Sequence, residues 1–144
     1  MSLSIHQNHV ELTDKSLLEI INQSISNKVS DIEYYTKMSK NIVHKNNQDM
    51  LREIATEETK QQKLLTDIYL TYTKKMPKIE QEYRHISNNF TTACKDAYQE
   101  ELKRIEFYKS LYQMIKNVNV KDIILDMIIE EQLHCKKLLF MMMP

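Results

Sequence analysis

Hydrophobic residues along the chain recur with gaps of three and four residues in four separate segments. This spacing is that of one face of an α-helix, so the pattern predicts four helices. Thr13-Asp14 is a good N-cap for the first helix, and Asn46 is a candidate cap for the second. The second helix should end before Pro77, because proline lacks an N–H donor and clashes with the preceding turn. The predicted helices cover about residues 14–44, 47–74, 88–116 and 120–142.

The connector between the second and third predicted helices, residues 76–88, permits two interpretations. If those helices run parallel, the connector crosses nearly a full helix length of roughly 40 Å. Its thirteen residues reach that far only when extended, at about 3.3 Å each. Ile79, Tyr83 and Ile86 are instead spaced like a helical stripe, which would shorten the reach. The pattern leaves both possibilities open.

The sequence matches itself without a gap when it is shifted by 73 residues. Ile32-Glu33-Tyr34-Tyr35 then falls on Ile105-Glu106-Phe107-Tyr108, and Glu57-Glu58 falls on Glu130-Glu131. A repeated helical hairpin carries an apolar stripe that only another hairpin can cover. The sequence therefore predicts an all-α fold, a four-helix bundle made of two repeated hairpins, in a single domain over residues 1–144.

Polar residues interrupt each predicted apolar stripe near the middle of its helix. The interrupting residues are Lys28, Glu58, Gln61, Glu101, Glu131 and His134. Lys28 and Gln61 are equidistant from the turn of the first hairpin. Glu101 and His134 are likewise equidistant from the turn of the second. Because antiparallel residues at equal distances from a turn face each other, these six polar groups should converge at the centre of the bundle.

Composition and charge agree with an all-helical protein and exclude several classes of partner. The chain contains no glycine and two prolines, whereas glycine makes up about 7% of an average protein and supplies most tight turns. Twenty basic residues balance twenty acidic ones, so no net field attracts nucleic acid or an anionic membrane. No apolar segment reaches the roughly 20 residues that a membrane span needs. We therefore expect neither a nucleic-acid partner nor a membrane partner.

The cysteines and the N-terminal segment indicate the cellular compartment in which we expect the protein. Cys94 and Cys135 are too few for a disulfide framework. The N-terminal segment lacks the basic region followed by an apolar run that marks a secretory signal. We expect a cytoplasmic protein with reduced thiols.

The predicted central cluster holds three carboxylates, Glu58, Glu101 and Glu131. Burying carboxylates without a compensating positive charge is strongly unfavourable. A metal ion is a natural source of that charge, because Glu131 and His134 form a Glu-x-x-His motif whose side chains share one helix face. With Lys28 charged and one divalent ion bound, the charges of the cluster sum to zero.

Two motifs in the second half of the chain carry a family resemblance. Glu101 lies seven residues before Tyr108, and Glu130-Glu131-Gln132-Leu133-His134 follows in the next helix. In these motifs the chain resembles the rubrerythrin-like branch of the ferritin-like superfamily, over about residues 15–142. The resemblance implies a ferritin-like bundle with a di-iron carboxylate centre, oxygen or peroxide chemistry and a homodimer. Because the chain has no Cys-x-x-Cys pair, we expect no rubredoxin-type centre.

The first half departs from the family pattern at two positions. Lys28 stands where the resemblance implies a metal-binding Glu, and Gln61 stands where it implies a His, whereas Glu58 keeps the place of its Glu. In the family pattern both losses affect the same ion. Our hypothesis is that the Lys28 ammonium replaces that ion and leaves a degenerate, single-metal site. The ligands for its one ion are then Glu58, Glu101, Glu131 and His134.

The cofactor and the activity stay open at this level. Carboxylates with one imidazole suit one divalent ion of iron, manganese or zinc, and spacing does not choose among them. Tyr35 and Tyr108 lie two turns from the cluster, where each could hydrogen-bond a ligand carboxylate. If catalytic, the protein would be a non-haem iron oxidoreductase acting on oxygen or peroxide. The alternative is a metal-free bundle in which Lys28 bridges the carboxylates and the protein serves as a structural or partner-binding module.

Overall fold

The fold is described by a computed structural model that covers residues 15–144. The helices are α1 (Lys15–Lys40), α2 (Lys45–Thr73), α3 (Phe90–Met114) and α4 (Val118–Met142). No strand occurs between residues 15 and 144. The predicted all-α fold with four helices is confirmed. None of these four helices combines the length and the apolar character needed to cross a membrane.

Side-chain caps define where three of the helices begin. Asn89 caps α3 and Asn117 caps α4, each by accepting the N–H of the third residue beyond it. The expectation that Asn46 caps α2 is wrong, because the His44 side chain accepts the equivalent N–H and the helix begins one residue later, at position 45. The predicted cap of α1, Thr13-Asp14, lies outside the described residues.

The buried residues form two apolar clusters separated by a polar layer. One cluster includes Leu17, Ile21, Ile25, Leu65, Ile68, Leu111 and Ile124. The other includes Tyr34, Met38, Leu51, Ile54, Cys94, Leu138 and Met141. The buried polar residues between them come from the middle of each helix. The apolar clusters hold the helices together above and below, so the polar layer between them is enclosed by all four helices.

The connector between α2 and α3 is an extended chain that runs along α1. Three α1 side chains at four-residue intervals accept backbone N–H groups from it: Asn22, Ser26 and Ser30. The donors are the N–H groups of Lys78, Glu80 and Glu82, each at 2.9 Å. Four residues of helix rise about 6 Å and two residues of extended chain about 6.6 Å, so the two spacings match.

This connector decides the topology of the bundle. Because it ascends beside α1, it carries the chain from the end of α2 back to the level at which α2 began. Helices α2 and α3 therefore run in the same direction, and the extended interpretation of the connector is correct. The helical interpretation is wrong, since Ile79 and Tyr83 are 42% and 79% exposed and form no buried stripe.

Candidate metal centre

The structure brings all six interrupting residues into the polar layer. Each is at most 1% exposed: Lys28, Glu58, Gln61, Glu101, Glu131 and His134. Lys28 lies in the middle of α1 and Glu101 in the middle of α3. Helices α2 and α4 each contribute a pair of residues three positions apart, and such a pair lies on one helix face. The layer is thus assembled from every helix of the bundle.

Four of these six side chains form a group that fits a metal ion. Glu58, Glu101, Glu131 and His134 each offer one ligand atom, and these atoms lie within 4.8 Å of one another. His134 Nδ1 is 3.2 Å from Glu58 Oε1, 3.7 Å from Glu131 Oε1 and 3.9 Å from Glu101 Oε2. Three carboxylates and one imidazole are a donor set that divalent first-row metals accept.

Each member of this four-residue group has one buried polar atom without a hydrogen bond. These atoms are Glu58 Oε1, Glu101 Oε2, Glu131 Oε2 and His134 Nδ1. Although His134 Nδ1 and Glu58 Oε1 are close, they do not make a hydrogen bond. An unsatisfied buried polar atom costs about 1–3 kcal/mol. A cation bound between these four side chains would supply partners that the buried polar atoms lack, so these residues fit a metal ion.

Lys28 occupies the side of the layer nearest α1. Its Nζ donates to Glu58 Oε2 at 2.7 Å and to Glu131 Oε1 at 3.0 Å. The same atom lies 4.9 Å from the centre of the Tyr108 ring. Burial acts to lower the pKa of Lys28, but the Glu131 and Glu58 carboxylates outweigh it and raise that pKa well above its ordinary value. Lys28 is therefore a fixed positive charge inside the bundle.

The carboxyl groups around Lys28 differ in their proton affinity. Burial raises the pKa of Glu101 to about 8. Burial, followed by the charge of Glu58, raises the pKa of Glu131 as well. Burial also opposes ionisation of Glu58, yet Lys28 and His134 lower its pKa below the usual value. When no metal is bound, Glu58 is therefore the carboxyl that ionises most readily beside Lys28, whereas burial favours the protonated forms of Glu101 and Glu131.

A carboxylate near the surface orients the imidazole. His134 Nε2 donates to Glu57 Oε2 at 3.0 Å, which directs Nδ1 toward the other ligand atoms. Such a carboxylate–histidine contact fixes the ring and its tautomer at metal sites. Glu57 is 27% exposed and also accepts from Lys137 Nζ at 3.4 Å. The sequence prediction missed this role, although the repeated Glu57-Glu58 dipeptide marked the position.

The remaining predicted site residues take different places. Tyr35 donates its hydroxyl to Glu101 Oε1 at 2.6 Å, as expected for a residue that hydrogen-bonds a ligand carboxylate. Tyr108 makes no such bond, because its hydroxyl has no partner and its ring faces Lys28 instead. Gln61 is in the layer but outside the metal-binding group, and neither atom of its amide makes a hydrogen bond.

A buried ion-pair cluster next to the layer was not predicted. Asp31 is 1% exposed and contacts Arg84 of the connector and Arg104 of α3. Arg84 Nη1 is 2.8 Å from Asp31 Oδ1, and Arg104 Nε is 3.0 Å from Asp31 Oδ2. This cluster joins three segments of the chain one helical turn from Lys28. Its two guanidiniums and one carboxylate add positive charge beside the centre.

Comparison with known proteins identifies the family. No curated protein matches the chain. A solved structure of a hypothetical protein from Pyrococcus furiosus superposes with a TM-score of 0.80 at 20% identity, over 98% of this chain and 94% of that one, which is a likeness of fold. The family model described as Rubrerythrin matches residues 19–141. The chain therefore belongs to the rubrerythrin family, within the ferritin-like superfamily.

Proposed function

We propose that the protein binds one divalent metal ion through Glu58, Glu101, Glu131 and His134. The observation that carries this proposal is that four buried side chains bring ligand atoms within 4.8 Å of one another, while each of these residues also has one polar atom without a hydrogen bond. A polar network selected to function without metal would pair these atoms with each other, because each unsatisfied atom destabilises the fold.

Lys28 and Gln61, the two polar-layer residues outside the four-residue group, indicate how many ions the centre binds. Lys28 places an ammonium against Glu58 and Glu131, and Gln61 offers an amide where an imidazole would be needed. The charge and the ligands for a second ion are both missing there. We therefore propose a single-metal centre in which the protein supplies the second cation itself.

Iron, manganese and zinc in the divalent state all suit these ligands. A bound ion would supply Lewis acidity, and iron or manganese would add redox chemistry. Within the chain, the three carboxylates neutralise the ion, Glu57 holds the His134 ring, and the Tyr35 hydroxyl orients Glu101. Whether the centre also catalyses a reaction with oxygen or peroxide is tested by consumption of either oxidant by the Fe(II)-loaded protein.

Metal titration tests the proposal directly. Protein purified without chelator or affinity nickel should bind one Zn(II) per chain and melt at a higher temperature when it does. Glu101→Gln should abolish this binding. Glu106→Gln, on the exposed face of the same helix, is the matched control and should bind as the wild type does. Less than about 0.1 metal per chain with an unchanged melting temperature would overturn the proposal.

One observation favours the second candidate, a metal-free structural or partner-binding bundle. Lys28 already compensates Glu58 and contacts Glu131 without any metal. In this alternative the two remaining carboxyls stay protonated. Melting that is unaffected by Fe(II), Mn(II) and Zn(II) is the result expected of it.

We also propose a cytoplasmic homodimer. The two cysteines are free and buried, which supports a reducing compartment. Leu125, Ile129 and Leu133 lie four residues apart on α4 and are each more than 40% exposed, which supports self-association through this stripe. Light scattering should give a dimer that Ile129→Glu converts to a monomer. Val43→Glu, at a fully exposed loop residue, should stay dimeric, and a monomeric wild type would contradict the proposal.

A further inference from the structure

Lys28 is a positive charge that the fold cannot remove from the centre. Its side chain is fully buried, two carboxylate oxygens hold its Nζ at 2.7 Å and 3.0 Å, and the face of the Tyr108 ring covers it. The ammonium reaches water only if its contacts with both Glu58 and Glu131 break. Any cation bound by the neighbouring ligands therefore shares the site with a permanent unit charge.

The charges of the layer then balance only for a divalent ion. Three carboxylates offset the ammonium and two further units of positive charge. A trivalent ion would leave one positive charge uncompensated in a buried site, which is strongly unfavourable.

The surrounding groups do not supply the missing negative charge. Asp31 is the nearest other buried carboxylate, and it faces the guanidiniums of Arg84 and Arg104. Glu57 is engaged by His134 and Lys137. These neighbouring carboxylates are already paired with cationic side chains, so they do not offset a third unit of positive charge on a bound ion.

We infer that Lys28 makes the centre selective for divalent over trivalent ions, so that iron bound there is held as Fe(II) and resists oxidation to Fe(III). This inference rests on the proposed metal binding and specifies what Lys28 does to it. Lys28 is thus a positioning and selectivity residue: it acts on the ion through Glu58 and Glu131 and through its charge.

The reduction potential of bound iron tests this inference. Lys28→Gln removes the charge but keeps a donor for the carboxylates, and it should lower the Fe(III)/Fe(II) potential. A tenfold change in the Fe(III) to Fe(II) ratio corresponds to about 59 mV for one electron, and we expect at least that shift. Lys28→Arg keeps the charge, and Lys40→Gln removes a charge from the exposed end of α1; both should match the wild type. Equal potentials in Lys28→Gln and wild type would overturn the inference.

A competition experiment on the wild-type protein covers the case in which Lys28→Gln does not fold. Zn(II) and the redox-inactive trivalent ion Ga(III) are offered together as nitrilotriacetate complexes. The wild type should retain Zn(II), and displacement by Ga(III) would overturn the inference. If Zn(II) itself does not bind, the proposed metal binding fails. If Zn(II) binds and Ga(III) displaces it, only the selectivity fails.

Discussion

The two halves of the bundle carry the same repeat, but the equivalent mid-helix positions of α1 and α3 carry side chains of opposite charge. Position 101 in α3 is a glutamate that accepts a hydrogen bond from Tyr35, whereas the equivalent position in α1 is Lys28. Tyr108 is the counterpart of Tyr35, but an ammonium has no acceptor for its hydroxyl. The Tyr108 hydroxyl is accordingly unpaired, and the ammonium lies 4.9 Å from the centre of its ring. One substitution thus explains the difference in both the charge and the tyrosine contacts.

The second difference concerns the imidazole. His134 of α4 is held by Glu57 of α2, while Gln61, its counterpart in α2, makes no hydrogen bond through its amide. The first half therefore places no histidine in the polar layer but supplies two carboxylates, Glu57 and Glu58, to the histidine of the second half. The halves are therefore not two independent sites: the first provides charge and support for the proposed ligand set, which is centred on the second.

Restoring the family pattern in the first half should have the largest effect on metal binding. Lys28→Glu combined with Gln61→His replaces the internal cation with a carboxylate and supplies the missing imidazole. We expect metal uptake to rise from one to two ions per chain, as measured by elemental analysis after loading with Zn(II). Lys40→Glu changes the same charge at the exposed end of α1 and should leave uptake at one. An unchanged ratio in the double variant would refute the exchange of an ion for Lys28.

Removing the internal cation should destabilise the metal-free protein far more than removing a ligand of the second half. Lys28→Met leaves Glu58 buried and ionised without its partner, a change that typically costs about 3–5 kcal/mol. Glu101→Gln replaces a carboxyl that is already protonated at pH 6, since burial raises its pKa to about 8, and should cost less than about 1 kcal/mol. Urea unfolding of both variants without metal measures the difference, and equal losses would show that Lys28 is not the stabilising charge.

The fold and the six residues of the polar layer were predictable from the sequence because both depend on periodicity. The 73-residue repeat and the helical stripes indicate two hairpins, and the polar interruptions of those stripes mark the mid-helix positions of the layer. These features are local along the chain, and each helix carries its own copy. Three buried carboxylates need a compensating positive charge, and Lys28 is the basic residue among the six interrupting positions.

The contacts around the centre were not predictable, because they join residues that only tertiary packing brings together. Glu57 and His134 are 77 residues apart, and Asp31 and Arg104 are 73 apart. In the sequence, Glu57 and Asp31 look like ordinary polar residues beside the apolar stripe. The connector was ambiguous for a similar reason: its extended form depends on hydrogen bonds to Asn22, Ser26 and Ser30 of α1, and its own residues are spaced like those of a helix.

Weakening the support of His134 should lower metal affinity without removing a ligand. Glu57→Gln replaces the ionised acceptor of the Nε2–H group, and loss of such a contact typically reduces affinity 10- to 100-fold. Glu130→Gln changes the equivalent residue of the second half, which makes no hydrogen bond to His134 and whose side chain lies near Gln61, and should change affinity less than about threefold. Zn(II) competition with a chelator measures both. Equal effects would mean that the halves support the ion symmetrically.

The proton content of the layer predicts a specific pH dependence. The pKa of Glu101 is raised from its ordinary value near 4.5 to about 8, so the folded protein retains a proton that the unfolded chain releases. Between pH 4.5 and pH 8 this group makes the metal-free protein less stable as pH rises, by about 1.4 kcal/mol for each pH unit over which the difference persists. Glu131 and His134, whose pKa values are also raised, act in the same direction. The lowered pKa of Glu58 acts oppositely, but only below about pH 4.5.

Unfolding measured from pH 5 to pH 8 checks this dependence in the metal-free protein. In Glu101→Gln the slope should become smaller, because glutamine does not titrate. Metal should bind with release of protons, since the carboxyls must ionise to act as ligands. Stability that rises with pH in the metal-free wild type would show that Glu101 and Glu131 are ionised there.

The two tyrosines give the smallest and most direct comparison of the halves. Tyr35→Phe removes a hydroxyl that donates to Glu101 at 2.6 Å and should lower the unfolding free energy by about 0.5–1.5 kcal/mol. Tyr108→Phe removes a buried hydroxyl without a partner and keeps the ring that faces Lys28. It should therefore leave stability unchanged or slightly increase it, because an unpaired buried hydroxyl costs free energy that phenylalanine avoids. If both variants lose the same stability in urea, the Tyr108 hydroxyl is hydrogen-bonded in solution, and the asymmetry caused by Lys28 does not extend to the tyrosines.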